Sequence, residues 1–373
     1  MPEEKILFRS VFNKKLVERL AAGIKKVYRQ FDDHNFIAEI NDQLAELSFG
    51  ERSTLIRDKL AQFLPEDLPK AVSILVKALD PEPEADDLSG SVGFVIMPQC
   101  DFIAKYGIDF PDESLNALYE MTKRFTAEEQ IRPFIRKYPE KTMDFLKKLA
   151  TDPSPFARRL VSEGTRPRLP LGSRLHEFIK DPGPVITLLD KLKSDTNLMV
   201  RRSVANNIND IAKDNPEIAV ATLKRWSKDK SPETKWLIKH AARTLLKQGN
   251  KGALELLGYT PKPEASITGF KIARDQFKIG EALQFSFLLK SISEKKQNLM
   301  IDYAIHFVKA NGKTKPKVFK LAAKKLLPGE TVLLCKAHSL KQFTTRVHYP
   351  GKHIIEIFVN GDSHLRKNFF VSG

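Results

Sequence analysis

The sequence predicts a two-domain protein, an all-α HEAT-like repeat superhelix followed by an all-β immunoglobulin-like sandwich. Two observations carry this prediction. Short sequence frames recur in the middle of the chain at the period of helical repeats, and apolar–polar alternation begins after a proline-bearing linker at residues 260–266. We therefore expect a helical domain over residues 1–259 and a sandwich over residues 260–373.

The repeats are visible in two matching stretches and a fainter third. DPSPFARRLV begins at Asp152 and DTNLMVRRSV at Asp195, and each carries an Arg-Arg pair six and seven residues after its Asp. The third frame begins at Asp229 and has Lys235-Trp236 in the place of the arginines. The separations of 43 and 34 residues between these aspartates are typical of HEAT or armadillo repeats.

Apolar residues at helical spacing predict the helices. They cover residues 12–31, 36–47, 52–63, 69–79, 114–125, 140–150, 194–212, 216–228 and 232–248. Residues 80–94 contain two prolines, two glycines and five acids, which indicates an exposed loop. The two tryptophans, Trp226 and Trp236, are expected in the helical core.

Local signals predict where the central helices begin and end. Thr126 with Glu129 has the form of a capping box, and Pro133 then lies inside that helix or restarts it. Ser154 is expected to cap the next helix, with Pro155 at its first position, and Gly164 to end it.

The C-terminal third alternates apolar with polar residues. Leu283 to Leu289 and Met300 to Val308 are the clearest strands, and Asn311-Gly312 and Asn360-Gly361 are hairpin turn signals. About seven short strands in ~110 residues favour an immunoglobulin-like sandwich.

Charge is distributed unevenly along the chain. Residues 1–110 carry a net charge of −5, residues 111–263 carry +10, and residues 264–373 carry +11. A basic surplus on both the repeats and the sandwich favours phosphate backbones as the partner and predicts that the sandwich clamps DNA. An anionic membrane or an acidic protein remains open as the partner, although the charges do not lie on one amphipathic helix, as those of a membrane binder would.

Several function classes lack their sequence signatures. The chain contains no GxxxxGK[ST], GxGxxG, HExxH or GxSxG motif, so no nucleotide loop, metal site or serine elbow is expected, and we predict no cofactor. It also contains no run of 18 apolar residues and no signal-peptide core. Cys100 and Cys335 lie far apart, as in a protein of a reducing cytosol, and neither a disulfide framework nor a metal spacing is expected.

Two acidic residues stand out among the basic repeats. Glu163 lies in the last turn of its predicted helix, where the helix dipole disfavours a negative charge, and Asp210 lies among arginines and asparagines. A third acid, Glu128, lies in the predicted first turn after Thr126. A simple structural role remains open for each: Glu128 can complement the helix dipole, and Asp210 can cap a helix or pair with an Arg.

One reaction suits a site made only of carboxylates and basic groups. Breaking an N-glycosidic bond develops positive charge on the sugar, as in glycoside hydrolysis, and a fixed carboxylate stabilises that charge and positions a water. A base made cationic by alkylation leaves without a general acid.

Four segments resemble one known family. FNKKLVERLAAGIKKVY at residues 12–28, IRPFI at 131–135, SEGTRPRLP at 162–170 and VRRSVANNINDIAKDNPE at 200–217 are similar to AlkC-type DNA alkylation repair glycosylases, over residues 8–260. One subgroup also bears a C-terminal immunoglobulin-like domain. The resemblance implies a HEAT-like superhelix that cups duplex DNA and excises cationic bases such as 3-methyladenine and 3-methylcytosine without full base flipping.

The resemblance also implies a site. Its acidic residues correspond to Glu128, Glu163 and Asp210, of which Glu163 and Asp210 are expected to stabilise the sugar cation and orient the water. The family has a tryptophan after the LP of SEGTRPRLP, where this chain has Leu171. That departure is expected to weaken cation–π contact with a cationic base. The residues expected to hold DNA are Arg158, Arg159, Arg166, Arg168, Arg201, Arg202 and Lys235.

The sequence therefore predicts a monomeric, monofunctional glycosylase without strand-cleaving activity, located in the bacterial cytosol with the nucleoid. Two alternatives remain open. A non-catalytic DNA-binding scaffold of the same fold is kept open by Leu171, and a helical scaffold unrelated to DNA is disfavoured by the paired arginines.

Overall fold

The chain folds as helices followed by strands, which confirms the predicted fold class. The computed structural model describes residues 8–83, 91–342 and 347–373. In these residues, the helices are α1 (Lys14–Val27), α2 (Asp33–Leu44), α3 (Phe49–Phe63), α4 (Leu68–Lys77), α5 (Met97–Tyr106), α6 (Pro111–Thr122), α7 (Arg132–Lys137), α8 (Pro139–Leu149), α9 (Pro155–Gly164), α10 (His176–Lys180), α11 (Gly183–Leu192), α12 (Leu198–Asp214), α13 (Pro216–Trp226), α14 (Pro232–Ala241), α15 (Arg243–Lys247) and α16 (Lys251–Leu256). Short 3-10 helices cover Phe8–Val11, Ser91–Ile96 and Gly107–Asp109.

The strands follow the last helix. They are β1 (Ala265–Ile272), β2 (Gln276–Lys278), β3 (Ala282–Ser291), β4 (Gln297–Val308), β5 (Thr314–Leu326), β6 (Thr331–Ser339), β7 (Gly351–Val359) and β8 (Asp362–Ser372). The predicted loop at 80–94 falls partly outside the described residues, at 84–90, and its last residues form the 3-10 helix at Ser91–Ile96.

The chain forms two compact units. The first runs to Asn215 and includes Ser231–Ala241, and the second comprises Pro216–Lys230 and Ala242–Gly373. The second unit thus contains short helices as well as all eight described strands. The domain boundary after residue 259 stays a prediction.

Helices α9 and α12 of the first unit carry two of the predicted acids, Glu163 and Asp210. Helix α12 packs against both α9 and α14. Its predicted apolar stripe, Val200, Val204 and Ile208, is fully buried, because residues at this spacing face the same side of a helix. Ser154 occupies the N-cap position of α9 with Pro155 in the first turn, as predicted, but its side chain makes no capping hydrogen bond; the helix ends at Gly164.

Three local predictions are wrong. No helix begins at Thr126, because residues 128–131 form a turn and α7 starts only at Arg132, with Pro133 in its first turn. The helix predicted over 232–248 is interrupted at Ala242. Trp226 is buried as expected, but Trp236 is 37% exposed, because the buried side of α14 is complete without it.

The strands form two sheets with an apolar layer between them. One sheet has the order β1-β3-β6 and the other β2-β8-β7-β4-β5. The alternation predicted for β3 and β4 is confirmed, since Phe285 and Phe287 of β3 and Tyr303 and Ile305 of β4 are all buried in one core cluster. Asn360 and Gly361 both have positive φ and connect β7 to β8, as the predicted hairpin turn requires.

Two glycines allow close backbone approach within the second unit. Gly249 has φ +67° and Gly361 has φ +84°, and a Cβ added to Gly249 would lie 2.7 Å from the Cα of Gly361. Beside them the Lys251 ammonium donates to Asp362 at 2.6 Å. The short helices α15 and α16 are therefore fastened directly to the hairpin turn of the sandwich.

Among the described residues, no helix has the length and apolar character needed to cross a membrane.

Candidate active site

Arg166 joins the two acids that the sequence singled out. Its Nε donates to Asp210 Oδ2 at 2.7 Å, and its Nη1 donates to Glu163 Oε2 at 2.9 Å. All three side chains are buried, with exposed fractions of 8%, 1% and 5% for Arg166, Asp210 and Glu163. Glu163 comes from the last turn of α9 and Asp210 from α12, so the guanidinium fastens two neighbouring helices through their carboxylates.

The two acids differ in how many of their oxygens are engaged. Asp210 Oδ1 accepts from Lys213 Nζ at 2.7 Å, so both of its oxygens have cationic donors. Among the described residues, only Oε2 of Glu163 accepts a hydrogen bond, which leaves its Oε1 available as an acceptor. Asp210 is thus the anchored carboxylate of the pair, and Glu163 has the free oxygen.

Glu128 belongs to a neighbouring cluster. Its Oε2 accepts from Arg159 Nη1 at 2.7 Å and from the Thr126 hydroxyl, and Arg159 also donates to Thr126 Oγ1 at 3.1 Å. Thr126 therefore orients a carboxylate rather than capping a helix. Burial raises the pKa of the Glu128 carboxyl above its ordinary value, and Arg159 offsets part of that rise.

The charges of these acids are balanced locally. Glu128, Glu163 and Asp210 face Arg159, Arg166 and Lys213, one cation for each anion. Burial lowers the pKa of Arg166, but Glu163 and then Asp210 outweigh burial, so the pKa of this guanidinium lies above its ordinary value. Pairing of this kind is what allows carboxylates to remain charged inside a protein.

Arg132 fixes the loop that follows α9. Its guanidinium is fully buried and donates to the carbonyls of Gly164 and Arg166, each at 2.9 Å, and to the carbonyl of Ser173. Burial lowers the pKa of Arg132 to about 10. Glu129 holds the same loop by accepting from the backbone N–H of Ser173 at 3.1 Å and from its hydroxyl at 2.9 Å.

Leu171 lies at the tip of this fixed loop. It is fully exposed and has φ 62°, a left-handed conformation that a leucine rarely adopts. Arg132 and Glu129 hold the loop on both sides of it, so an apolar side chain is presented to solvent on a rigid support. Its predicted place in a lesion pocket stays a prediction.

The first arginine of each Arg-Arg pair has the same structural contacts. Arg158 Nη1 donates to the carbonyls of Asp152 and Pro153 at 2.8 and 2.9 Å. Arg201 Nη1 donates to the carbonyls of Asp195 and Thr196 at 2.6 and 2.8 Å. In both repeats the guanidinium therefore closes the loop that precedes its own helix. The shared Asp has its own task there, because the side chains of Asp152 and Asp195 each accept from the backbone N–H two residues later at 2.8 Å.

The other residues predicted to hold DNA divide into two groups. Arg168 is paired with Asp214 through two hydrogen bonds of 2.6 Å, and Arg158 also pairs with Asp195. Arg202 and Lys235 are exposed, and no ion pair of either side chain is seen in the described part of the chain. The exposed pair has cationic groups that remain available to phosphates.

Sequence reasoning missed three residues that position the site. In the sequence, Arg132 is distinguished only by its position before a proline. Lys213 is distinguished only by its position one helical turn after Asp210. Asn207 is fully buried and donates to the carbonyl of Ser162 at 2.8 Å, which ties α12 to the end of α9. The partners of Arg132 and Asn207 lie far away in sequence, so the spacing of residues did not reveal these two contacts.

The arrangement suits stabilisation of a cation by fixed carboxylates. Glu163 and Asp210 are buried and held by Arg166, and Glu163 has an oxygen free for a water or a sugar. Within the described residues, no group of three or more His, Cys, Asp or Glu side chains is placed to hold a metal ion.

Two comparisons concern sequence. The family model described as "Uncharacterised protein YhaZ, C-terminal Ig-like domain" matches residues 266–373. The uncharacterised protein YhaZ of Bacillus subtilis (strain 168) is 36% identical over 355 residues, which cover 95% of this chain and 96% of YhaZ.

A third comparison concerns structure. The alkylpurine DNA glycosylase AlkC of Pseudomonas fluorescens, solved bound to DNA that contains an abasic site analog, matches with a TM-score of 0.88 and 35% identity. The match covers 98% of this chain and 99% of the AlkC chain, so it includes both the helices and the sandwich. This chain belongs to the AlkC family, in the subgroup that carries a C-terminal immunoglobulin-like domain.

Proposed function

We propose that this protein is a DNA glycosylase that excises cationic alkylated bases, such as 3-methyladenine and 3-methylcytosine, from duplex DNA in base excision repair. The observation that carries this proposal is the pair of buried carboxylates, Glu163 and Asp210, held by Arg166. The DNA-bound AlkC relative, an alkylpurine DNA glycosylase, supports the same activity class.

The proposed reaction breaks one bond and forms one. The bond between sugar C1′ and the base nitrogen breaks, and its electron pair goes to the base, which leaves neutral because it was cationic. The sugar becomes an oxocarbenium-like cation, which the carboxylates stabilise. Water then bonds to C1′ and loses its proton to a carboxylate or to solvent.

The contacts suggest different tasks for the three acids. Glu163 orients the water or faces the sugar cation through its free Oε1, while Asp210 acts from its anchored position beside Arg166. Glu128 supports the pair or contacts the lesion-bearing nucleotide. Lys213 is 39% exposed in its side chain, so it can turn from Asp210 to a phosphate when DNA binds and leave Asp210 Oδ1 free.

DNA would be held by exposed cations of both units. Arg202 and Lys235 supply available charges on the helices, and the sandwich adds a net charge of +11 over residues 264–373. The sandwich is proposed as a clamp on the duplex. We further propose that the protein acts as a monomer in the bacterial cytosol, at the nucleoid.

Release of free base from methylated duplex DNA tests the proposal. We expect chromatography to show 3-methyladenine or 3-methylcytosine released by the wild type. Glu163→Gln and Asp210→Asn should each lower the single-turnover rate at least about 100-fold, because each removes charge that stabilises the sugar cation. DNA affinity, measured by fluorescence anisotropy, should stay within about twofold because these side chains do not bind phosphates.

Asp214→Asn is the matched control for Asp210→Asn. Asp214 lies one turn further along α12 and pairs with Arg168, outside the cluster of Glu163 and Arg166. It should leave base release unchanged. Release that persists in both Glu163→Gln and Asp210→Asn contradicts the site, and tight DNA binding without any release by the wild type supports the scaffold alternative, with Leu171→Trp as the next variant.

We also propose that the enzyme lacks strand-cleaving activity. A lyase needs an uncharged amine that attacks C1′, whereas Lys213 of this cluster pairs with the Asp210 carboxylate and would pair with a phosphate once DNA is bound. Borohydride added during turnover should therefore trap no covalent protein–DNA adduct. A trapped adduct that disappears in Lys213→Arg would show that Lys213 attacks C1′ and that the enzyme is a lyase.

A further inference from the structure

Three neighbouring helices carry residues at equivalent positions along their length. Arg159, Arg202 and Trp236 are each the fifth residue of α9, α12 and α14. Helix α12 packs against both α9 and α14, so the three positions succeed one another from repeat to repeat. The residues four positions later, on the same face of each helix, are Glu163, Asn206 and His240.

The shared loop contacts support this register. Arg158 and Arg201 each bind carbonyls five and six residues before them, so the loops that precede α9 and α12 are closed by the same contacts. The following residues, Arg159 and Arg202, therefore occupy matching places. Arg159 reaches Glu128 of the candidate site at 2.7 Å, and by this register Trp236 continues the same row two helices away.

Trp236 is not needed for the core of its helix. The buried side of α14 consists of Thr234, Leu237, Ile238 and Ala241. The indole is 37% exposed and stacks on the His240 ring, with a centroid separation of 5.0 Å and an interplanar angle of 7°. The imidazole thus holds a large flat side chain in one orientation at the surface.

Two lysines adjoin the stacked rings along α14. Lys235 and Lys239 lie beside the two stacked rings in sequence, and both are exposed. An exposed flat aromatic group beside lysines on its own helix is suited to a nucleic acid, whose sugars and base edges offer apolar surface to the ring while its phosphates accept the lysines. An acidic protein would use the lysines but would not require the fixed indole.

We propose that Trp236, oriented by His240 and with the exposed Lys235 and Lys239 next to the two rings along α14, is a second DNA-contact site, one helix beyond the α12 acid, Asp210. It packs against a sugar or base edge of the duplex, holds undamaged and damaged DNA alike, and takes no part in bond breaking. This inference rests on the proposed function, since it requires that the protein binds duplex DNA.

Tryptophan fluorescence tests the contact directly. Because Trp226 is 1% exposed and Trp236 is 37% exposed, acrylamide quenching of the free protein should report mainly Trp236. Saturation with undamaged duplex should reduce that quenching severalfold. In Trp236→Phe, the remaining Trp226 signal should show weak quenching both with and without DNA.

The affinity for duplex DNA provides a second test. Trp236→Ala should weaken duplex binding about tenfold, within the range expected for the loss of one aromatic interface contact, while Trp236→Phe retains most of the affinity. Phe110→Ala is the matched control, because Phe110 is an equally exposed aromatic residue elsewhere in the same unit, with 37% exposure. It should leave affinity unchanged. Single-turnover release at saturating protein should be unaffected in Trp236→Ala.

The outcomes separate this inference from the proposed function. Duplex binding with Trp236 still fully open to acrylamide, or with unchanged affinity in Trp236→Ala, overturns the contact site and leaves the glycosylase intact. A loss of single-turnover release at saturation in Trp236→Ala also overturns it, since the residue would then act on chemistry. Absence of any duplex binding by the wild type overturns the proposed function and this inference together.

Discussion

Arg166 illustrates how a basic residue in a DNA-binding sequence can serve the acids instead. Its guanidinium donates to both Glu163 and Asp210 and is 8% exposed, so its charge is already neutralised inside the protein. Two carboxylates brought together without a cation would repel, and one of them would take up a proton. Arg166 is therefore expected to keep both acids charged and in place.

Salt dependence distinguishes this task from phosphate binding. Arg166→Met should lower base release at least about 100-fold and leave the slope of log affinity against log salt unchanged. Arg202→Met, the exposed counterpart without an ion pair in the described residues, should lower the magnitude of that slope by about 0.9 and largely spare release at saturating protein. An altered slope in Arg166→Met would show that Arg166 binds a phosphate.

The loop between α9 and α10 is the element on which the site depends most. It contains Arg166, whose side chain joins the acids, and Leu171, whose side chain is fully exposed. The segment that begins at Glu128 holds this loop through Glu129 and Arg132, so one short stretch supplies a predicted acid and two residues that fix the loop. Arg132 also binds the last carbonyl of α9, next to Glu163, where a cation is favourable.

Loss of Arg132 should therefore destabilise both the fold and the site. Arg132→Met leaves buried carbonyls of Gly164 and Arg166 without a donor and should lower the free energy of unfolding by about 3 kcal/mol, measured by urea denaturation. Arg136→Met is the control, since Arg136 is exposed, hydrogen-bonds to Ser173 and Arg174 at the surface, and should change stability by less than about 0.5 kcal/mol. A tolerated Arg132→Met would mean that water replaces the guanidinium.

Considered as a whole, the molecule combines two units with different stability determinants. The helical unit contains buried ion pairs, whereas the sandwich contains an apolar core with buried histidines. His353 is fully buried, stacks on Phe369 at 5.4 Å, and its Nε2 lies 3.1 Å from the carbonyl of Tyr349. Burial lowers the pKa of His353 below its ordinary value of 6.5, and the contact with Tyr349 offsets part of this effect.

The lowered pKa predicts that acid weakens the sandwich. Because the unfolded chain takes up the proton at a higher pH than the folded chain, stability is complete above 6.5 and falls as the pH drops below it. Urea denaturation should show a loss of up to about 1.4 kcal/mol per pH unit from this group. His353→Phe should flatten the dependence between about pH 7.5 and 5.5, whereas the exposed His176→Gln should not. An identical slope in His353→Phe would assign the effect to other groups.

Periodicity in the sequence was enough to predict the architecture. The spacing of Val200, Val204 and Ile208 predicted the buried face of α12, and alternation predicted the buried face of β4, because helical and extended backbones impose these periods on any side chain. The position of Glu163 near the end of a helix also followed from Ser154 and Gly164. These signals are local, so they can be read from adjacent residues.

The tertiary structure alone decided what each charged residue contacts. Arg166 and Asp210 are 44 positions apart, and Arg132 and Gly164 are 32 apart, so no local spacing indicated that they would meet. The exposure of Trp236 likewise depends on what packs against α14 and not on its own helical pattern. Periodicity specifies the face of a helix on which a side chain lies, but the packing of distant segments specifies its partner, and this partner determines whether an arginine binds a carbonyl, a carboxylate or DNA.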